Sequence, residues 1–176
     1  MKVLAFAASS SKNSINQKLV KYAASLVDGA EIELLDLNDF EMPIFSVDKE
    51  AEIGKHPVAQ KFIAAIAAAD ALLISFAEHN GSYSAAYKNL FDWASRVEQK
   101  VYQGKPAVFL ATSPGPGGAR NVLAAAVSSA PHFGVDLKAQ LSVAKFFDVF
   151  DVEQSVIKDD GVANELKAAL SQLMVS

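Results

Sequence analysis

Residues 2–16 read KVLAFAASSSKNSIN, an apolar run followed by a turn that is rich in hydroxyl and amide side chains. The near-continuous apolar run Lys2–Ala8 predicts a strand that is buried on both faces of a sheet. Apolar residues then recur at helical spacing from Ile15 to Val27, so a helix is expected after the turn. The stretch predicts a strand–turn–helix unit whose turn has more short polar side chains than a helix cap requires.

The same unit repeats along the chain. Further strands are expected at 31–37, 71–76, 106–112 and 136–143, and further helices at 58–69, 84–96, 121–133 and 162–174. Helical crossovers of this kind give parallel strands that are covered on both faces. The pattern therefore predicts one doubly wound α/β domain over residues 1–176, with five strands between two helix layers. Residues 38–57 are expected to be a long irregular connection, and residues 144–161 show no assignable pattern.

Composition narrows the function classes. The chain has 176 residues, of which 51% are hydrophobic and 20% charged, as suits one globular domain. Its net charge of −4 and the absence of a basic run argue against nucleic acid and membrane surfaces as partners. It has no cysteine and its three histidines lack ligand spacing, so no metal site is expected. We expect a cytoplasmic protein that acts on a small molecule.

Three polar loops follow the first, third and fourth predicted strands. Ligands of open parallel sheets bind at the carboxyl ends of strands, so these loops are the candidate site. They are the first loop, SSSKNSIN at 9–16, the second loop, AEHNGSYS at 77–84, and the third loop, SPGPGGAR at 113–120.

The first loop suits an anion. A helix that begins near Ile15 presents free backbone N–H groups, and the side chains of Ser9, Ser11, Ser14 and Asn16 can donate hydrogen bonds to a phosphate. The alternative is a capping box in which Ser14 only caps the helix, and this loop alone does not separate the two. Neither a G-x-x-x-x-G-K-[ST] sequence nor a G-x-G-x-x-G after the first strand occurs, which disfavours nucleotide triphosphatases and NAD-binding Rossmann domains.

The other two loops suit a flat ligand. Asn80 and Gly81 permit a tight turn that brings backbone N–H groups close to a ring, and Glu78 is a candidate general base. The glycines of SPGPGGAR expose backbone amides that its prolines hold in place. Taken one by one, these loops also fit ordinary turns, with Ser82 or Ser84 capping the next helix and Glu78 merely solvated.

Together the loops resemble the NAD(P)H-dependent FMN reductase family, a flavodoxin-like branch that includes quinone, azo-dye and chromate reductases. The family pattern is G-S-x-R-x-x-S-x-N, then P-E-Y-N-G-S with a downstream K-N-x-x-D-W, then S-x-G-x-x-G-G. This chain matches it over roughly residues 2–140, and the most specific part is the pair EHNGS at 78–82 and KNLFDW at 88–93. Ala8, Ser11 and His79 depart from the pattern, where the family has glycine, arginine and tyrosine.

The resemblance implies a flavodoxin-like three-layer sandwich with strand order 2-1-3-4-5 and an FMN site at its edge. Ser9, Ser11, Ser14, Ile15 and Asn16 would hold the phosphate, with Lys12 as the nearest cation. The isoalloxazine would meet Glu78, His79, Asn80, Gly81 and Ser82 on one side and Ser113, Gly115, Gly117 and Gly118 at its pyrimidine edge. Tyr83 and His79 would shape the pocket of the second substrate.

The implied activity is hydride transfer from NADPH or NADH to FMN, and then electron transfer to a quinone, a free flavin or a similar acceptor. No residue of the chain is expected to act as a catalytic acid or base, because the flavin carries the chemistry. The alternatives are an electron carrier and a non-flavin protein that binds another phosphate ligand. The helix with Tyr87, Leu90, Phe91 and Trp93 has apolar residues on more than one face, which fits either a subunit interface or burial within the core. The resemblance implies a homodimer or homotetramer, because members of the family oligomerise.

Overall fold

A computed structural model describes residues 1–174 of the chain. Its strands are β1 (Lys2–Ala8), β2 (Glu31–Leu35), β3 (Ala71–Phe76), β4 (Glu78–His79), β5 (Ser82–Tyr83), β6 (Pro106–Thr112), β7 (Asp136–Val143), β8 (Phe150–Asp151) and β9 (Val156–Ile157). Its helices are α1 (Ile15–Ser25), α2 (Val47–Ile53), α3 (Pro57–Ala68), α4 (Ala85–Val97), α5 (Arg120–Ser129), α6 (Phe146–Val149) and α7 (Asp160–Ser171). Two 3₁₀ turns span Leu37–Phe40 and Gln172–Met174.

One five-stranded parallel sheet organises the protein, in the order β2-β1-β3-β6-β7. Counted along the sheet strands alone, this is the expected order 2-1-3-4-5, so the predicted flavodoxin-like sheet is confirmed. The three central strands are buried along almost their whole length, whereas the edge strand β7 alternates between exposed and half-buried residues.

Two cores lie on opposite faces of the sheet because successive strand residues point to opposite sides. Leu4 and Phe6 of β1 belong to the core under α3, α4 and α5, which also contains Phe62 of α3. Val3 and Ala5 belong to the core under α1 and α7. The predicted three layers are therefore confirmed.

The prediction of an irregular connection over 38–57 is wrong, because this segment contains the 3₁₀ turn Leu37–Phe40 and helix α2. The hydroxyl oxygen of Ser46 accepts from Lys49 N–H at the start of α2, and Gly54, with φ of 70°, ends it. None of the residues of α2 is buried, so the helix has no apolar stripe that a periodicity search could find. The unassigned segment 144–161 contains α6 and the β8–β9 hairpin.

No helix within residues 1–174 is long and apolar enough to cross a membrane.

The buried side chain of Asn16 ties the start of α1 to two strands. Its Oδ1 accepts from Ser75 Oγ of β3 at 2.8 Å and from the backbone N–H of Thr112 of β6 at 3.0 Å. Its Nδ2 donates to the carbonyl of Thr112 at 3.2 Å. One amide thus links α1 to β3 and β6 at the carboxyl edge of the sheet.

Replacing Asn16 by Ala is expected to lower the free energy of unfolding by about 2–4 kcal/mol, because it leaves buried polar groups of Ser75 and Thr112 unpaired. Asn16→Asp should also destabilise the fold, since a carboxylate cannot donate to the Thr112 carbonyl. Urea denaturation measures both effects. The control Asn13→Ala changes an exposed asparagine of the same loop and should cost little. Equal stability of the Asn16→Ala and Asn13→Ala variants would contradict the role of Asn16 as a tie.

Candidate functional site

The three polar loops lie side by side at one edge of the sheet. They follow β1, β3 and β6, which are neighbours in the sheet, and the strand ends are level, with Ala8 opposite Phe76 and Phe76 opposite Ala111. The sequence-based placement of the three loops at one edge is the geometry that the structure shows. The site is therefore assembled from loops that are far apart in sequence.

The first loop presents hydroxyl groups around the start of α1. Ser9 and Ser14 are largely buried, and their oxygens accept from the N–H groups of Ser11 and Gln17, both at 3.2 Å. A hydroxyl that accepts a hydrogen bond still has its own proton to donate. Ser14 is thus a helix cap, as the capping-box interpretation expected. Capping uses the hydroxyl oxygen of Ser14 as an acceptor and leaves its hydroxyl proton, which a phosphate would need. Ser11 is exposed.

Helix α1 contributes backbone donors to the same place. Its first intrahelical bond runs from Lys18 N–H to the Ser14 carbonyl, so the N–H groups of Ile15 and Asn16 precede the hydrogen-bonded turns. The side chain of Asn16, in contrast, is engaged with Ser75 and Thr112. Any contact of Asn16 with a phosphate therefore falls to its backbone N–H and not to the side-chain amide that the sequence suggested.

The second loop is a two-residue hairpin. Strands β4 and β5 pair His79 with Ser82, and the turn residues Asn80 and Gly81 have φ of 52° and 77°. Positive φ at both positions is the type I′ geometry that an Asn-Gly pair favours. His79 and Ser82 are exposed at its tip.

Glu78 joins the second loop to the third. Its Oε2 accepts from the backbone N–H of Val122 at 2.8 Å, and its Oε1 accepts from Asn121 Nδ2 at 3.4 Å. The residue before α5, Ala119, has no side chain that can cap, so a carboxylate from the second loop supplies the cap. This contact gives Glu78 a structural role at the start of α5.

Ser84 joins the second loop to the first. Its oxygen accepts from Tyr87 N–H at 3.2 Å and so caps α4, while its O–H donates to the carbonyl of Ala8 at 2.8 Å. Ala8 is the last residue of β1, so the start of α4 is fixed against the beginning of the first loop.

The third loop is held by its own backbone and by the segment after β7. The carbonyls of Ser113 and Gly115 accept from the N–H groups of Phe146 and Lys145, at 3.1 and 2.9 Å. At Gly118, φ is 60°, and an added Cβ would overlap the Ser142 hydroxyl and come within 3.1 Å of Ala144 N. Gly118 is therefore required by the packing of the protein itself.

Gly115 and Gly117 differ from Gly118, because neither has a positive φ and a Cβ built on either meets nothing within 4 Å. Their backbone does not need glycine for its conformation, and the space beside them is open. Gly81 also faces open space, although its positive φ gives it a conformational reason to be glycine. The fold does not require glycine at positions 115 and 117, and the space beside them is open. A ligand that lies against this backbone would need such space.

Tyr83 begins an aromatic layer beneath the hairpin. Its ring lies 5.9 Å from that of Phe76 and 5.4 Å from that of Tyr87, and the Tyr87 and Tyr102 hydroxyls are hydrogen-bonded at 2.7 Å. Burial raises the pKa of Tyr83, and it raises the pKa of both deeper tyrosines as well, so all three phenols stay protonated near neutral pH. A cavity of about 230 Å³ between α4 and α5 opens beside Tyr83.

The KNLFDW segment has a task that the sequence did not reveal. Asn89 accepts from Phe45 N–H at 2.8 Å and donates to the carbonyls of Met42 and Pro43, and Trp93 Nε1 donates to the Pro43 carbonyl at 2.8 Å. The two side chains thereby hold residues 42–45 against α4. In the sequence, this contact was indicated by an asparagine and a tryptophan that are four residues apart and therefore lie on one helix face.

The known proteins that match this chain include several that are named as reductases. The chain is 38% identical over 116 residues to the NAD(P)H-dependent FMN reductase of Pseudomonas aeruginosa, a match that covers 65% of this chain and 61% of that protein. It is 35% identical over 125 residues to the NADPH:quinone oxidoreductase of Arabidopsis thaliana, covering 69% of this chain and 62% of the plant protein. The matched segments thus span about three fifths of these curated relatives.

The solved flavoenzyme NAD(P)H:(acceptor) oxidoreductase FerB of Paracoccus denitrificans superposes with a TM-score of 0.80 at 27% identity, over 98% of this chain and 94% of FerB. The family described as NADPH-dependent FMN reductase matches residues 1–148. This match includes the three loops and the KNLFDW segment, and the chain therefore belongs to the NADPH-dependent FMN reductase family.

Proposed function

We propose that this protein is an FMN-dependent NAD(P)H oxidoreductase that passes hydride from NADPH or NADH to FMN and then electrons to a small acceptor. The observation that carries the proposal is the arrangement of the three loops. They are tied to one another by Glu78 and Ser84, and yet they leave hydroxyl protons, helix N–H groups and open glycine backbone at a single edge.

The first loop fits the phosphate of FMN. The O–H groups of Ser9, Ser11 and Ser14 and the N–H groups of Ile15 and Asn16 form a set of neutral donors at the positive end of α1. Hydrogen bonds from neutral donors to an anion are strong, so the set can hold a phosphate although Ser11 stands where the family has arginine. Lys12, exposed in the same loop, supplies the nearest cation.

The second and third loops fit the ring system. Backbone at Asn80–Ser82 and at Gly115–Gly118 lies at the ends of adjacent strands, and glycines keep both approaches free of side chains. When bound, FMN accepts hydride and passes electrons on, while the protein binds and orients it. No acid or base of the chain is assigned to the reaction, because the Glu78 carboxylate is committed to the start of α5.

The acceptor would meet the exposed side of the second loop. His79 is exposed and Tyr83 is half-buried there, above a layer of aromatic rings that suits a flat molecule. Relatives named for quinone reduction, among them a 2-hydroxy-1,4-benzoquinone reductase 34% identical over 117 residues, support a quinone-like acceptor. A free flavin is proposed as an alternative acceptor at the same place.

The proposed activity is tested on the purified full chain by its visible spectrum before and after anaerobic addition of NADPH. We expect the yellow colour of a bound flavin to bleach, and steady-state oxidation of NADPH with a benzoquinone to follow. Flavin-loaded protein that does not oxidise NADPH or NADH would favour an electron carrier. Protein that stays colourless after FMN is added and the excess removed would favour a different phosphate ligand.

Substitutions at two adjacent glycines separate the cofactor site from the fold. Gly117→Ala should weaken FMN binding by a factor on the order of ten, because its methyl group enters the open space, while the free energy of unfolding changes by less than about 1 kcal/mol. Gly118→Ala should cost roughly 1–3 kcal/mol of stability through its clash with Ser142 and its positive φ. Flavin-fluorescence titration and urea denaturation measure the two effects. FMN affinity unchanged in Gly117→Ala would place the flavin elsewhere.

The proposal includes a cytoplasmic homodimer or homotetramer. The helix pattern that first suggested it is largely used within the chain, since Tyr87, Leu90 and Trp93 are buried and Trp93 packs edge-on against Phe45. What supports association is the aromatic cleft between α4 and α5, to which Phe91 contributes. Phe91→Glu is therefore expected to shift the sedimentation coefficient to that of a monomer. Wild-type protein that sediments as a monomer at micromolar concentration would contradict this part.

A further inference from the structure

A lysine groove runs along the outer side of α1. It is a cavity of about 480 Å³ bounded by residues of α1, of the first loop and of the β8–β9 hairpin. Its lining is Lys12, Asn13, Ser14, Gln17, Lys18, Lys21, Tyr22, Ser25 and Ser155. The groove therefore includes Ser14, the residue that caps α1, together with Lys12 and Asn13 of the first loop.

The lining of the groove is positively charged, although the chain as a whole has a net charge of −4. Three of its lining residues are lysines and none is acidic. Among residues 1–174, none of the ion pairs closer than 4 Å involves Lys12, Lys18 or Lys21. Asp36 lines a neighbouring cavity together with Lys21 and does not line the groove. The nearby hairpin acid Asp151 accepts from the N–H groups of Glu153 and Gln154 and does not line the groove.

The length of the groove exceeds what one phosphate needs. Ser14, Lys18 and Lys21 follow one another at helical spacing on one face of α1. With a rise of 1.5 Å per residue, Lys21 lies about 10 Å along the helix from the cap. A phosphate at the first loop would occupy only one end, and the lysines beyond it would meet further anionic groups of the same or a neighbouring ligand.

Tyr22 adds an aromatic side chain to the lining. Its half-buried ring is fixed edge-to-face against Phe150, with 6.0 Å between centroids and an interplanar angle of 88°. A fixed aromatic side chain next to lysines suits a ligand that combines a planar base with phosphate groups. The groove thus offers both parts of the chemistry that an adenosine phosphate requires.

We propose that the lysine groove binds the phosphorylated adenosine half of a dinucleotide, with Lys12, Lys18 and Lys21 holding its phosphates and Tyr22 contacting the adenine. This chemistry has two sources, the adenosine phosphate of FAD and the 2′-phosphoadenosine of NADPH. The inference rests on the proposed function only for the position of the flavin phosphate. It makes the chain selective for the phosphorylated or extended form of its nucleotides.

The direct test is calorimetric titration of the full chain with adenosine 2′,5′-bisphosphate, which requires neither flavin nor turnover. The triple variant Lys12→Gln, Lys18→Gln, Lys21→Gln should bind this probe at least tenfold more weakly than the unchanged protein. The control Lys49→Gln, Lys61→Gln, Lys138→Gln removes the same charge from α2, α3 and β7 and should change the affinity less than twofold. Tyr22→Leu should weaken binding of the probe while inorganic phosphate binds as before.

Two further comparisons distinguish the sources. A tenfold loss of FAD affinity in the variant Lys18→Gln, Lys21→Gln, which keeps Lys12 for the FMN phosphate, with FMN affinity changed less than threefold, assigns the groove to the flavin dinucleotide. A tenfold loss of NADPH affinity with NADH unchanged assigns it to the hydride donor. Binding of the bisphosphate that is absent, or equal in both triple variants, overturns the proposal.

The outcome is separable from that of the proposed function. If FMN fails to bind but the bisphosphate depends on the three lysines, the reductase proposal fails and the groove assignment stands. If FMN binds and is reduced while the lysine variant behaves like its control, only the groove assignment fails.

Discussion

The side-chain amide of Asn16 is the contact on which the arrangement of this edge depends. It lies where the starts of helices and the ends of central strands bring many polar backbone groups into a region almost closed to water. Such groups must be paired, since each orphan would cost on the order of 1–3 kcal/mol. By bonding to Ser75 and to both backbone groups of Thr112, Asn16 sets the position of α1 relative to β3 and β6.

The other two ties work in the same way across loops. Glu78 of the second loop caps the helix that follows the third, and Ser84 at the end of the second loop bonds to the strand end that precedes the first. The loops are therefore ordered by contacts with one another. These contacts use Glu78, Ser84 and the Asn16 side chain. The ligand contacts that we propose fall instead to the hydroxyl protons of Ser9 and Ser14 and to the glycine backbone.

The sequence was sufficient to predict the sheet and the location of the candidate site, but not the hydrogen bonds that individual side chains form. Strands β1, β3, β6 and β7 have their predicted bounds because buried or alternating apolar runs are strong patterns. Helix α2 was not predicted because none of its residues is buried, so it lacks an apolar face. The sequence shows that Asn16 follows a helix cap, but it does not show which way the side-chain amide points. It also shows that Glu78 follows a strand, but not that the start of α5 lies beside it. Such directions depend on the tertiary packing of distant segments.

Helix α5 is capped by Glu78, a residue of the second loop, and this affects how the chain folds. A helix preceded by its own serine or aspartate can stabilise its first turn as soon as it forms, as α1, α4 and α7 can. Helix α5 begins after an alanine in the left-handed region, and its capping carboxylate is 44 residues away along the chain. Its first turn therefore gains that stabilisation only after β3 and β6 have paired and the hairpin has docked. We therefore expect the third loop to become ordered late in folding, through long-range contacts rather than local helix nucleation.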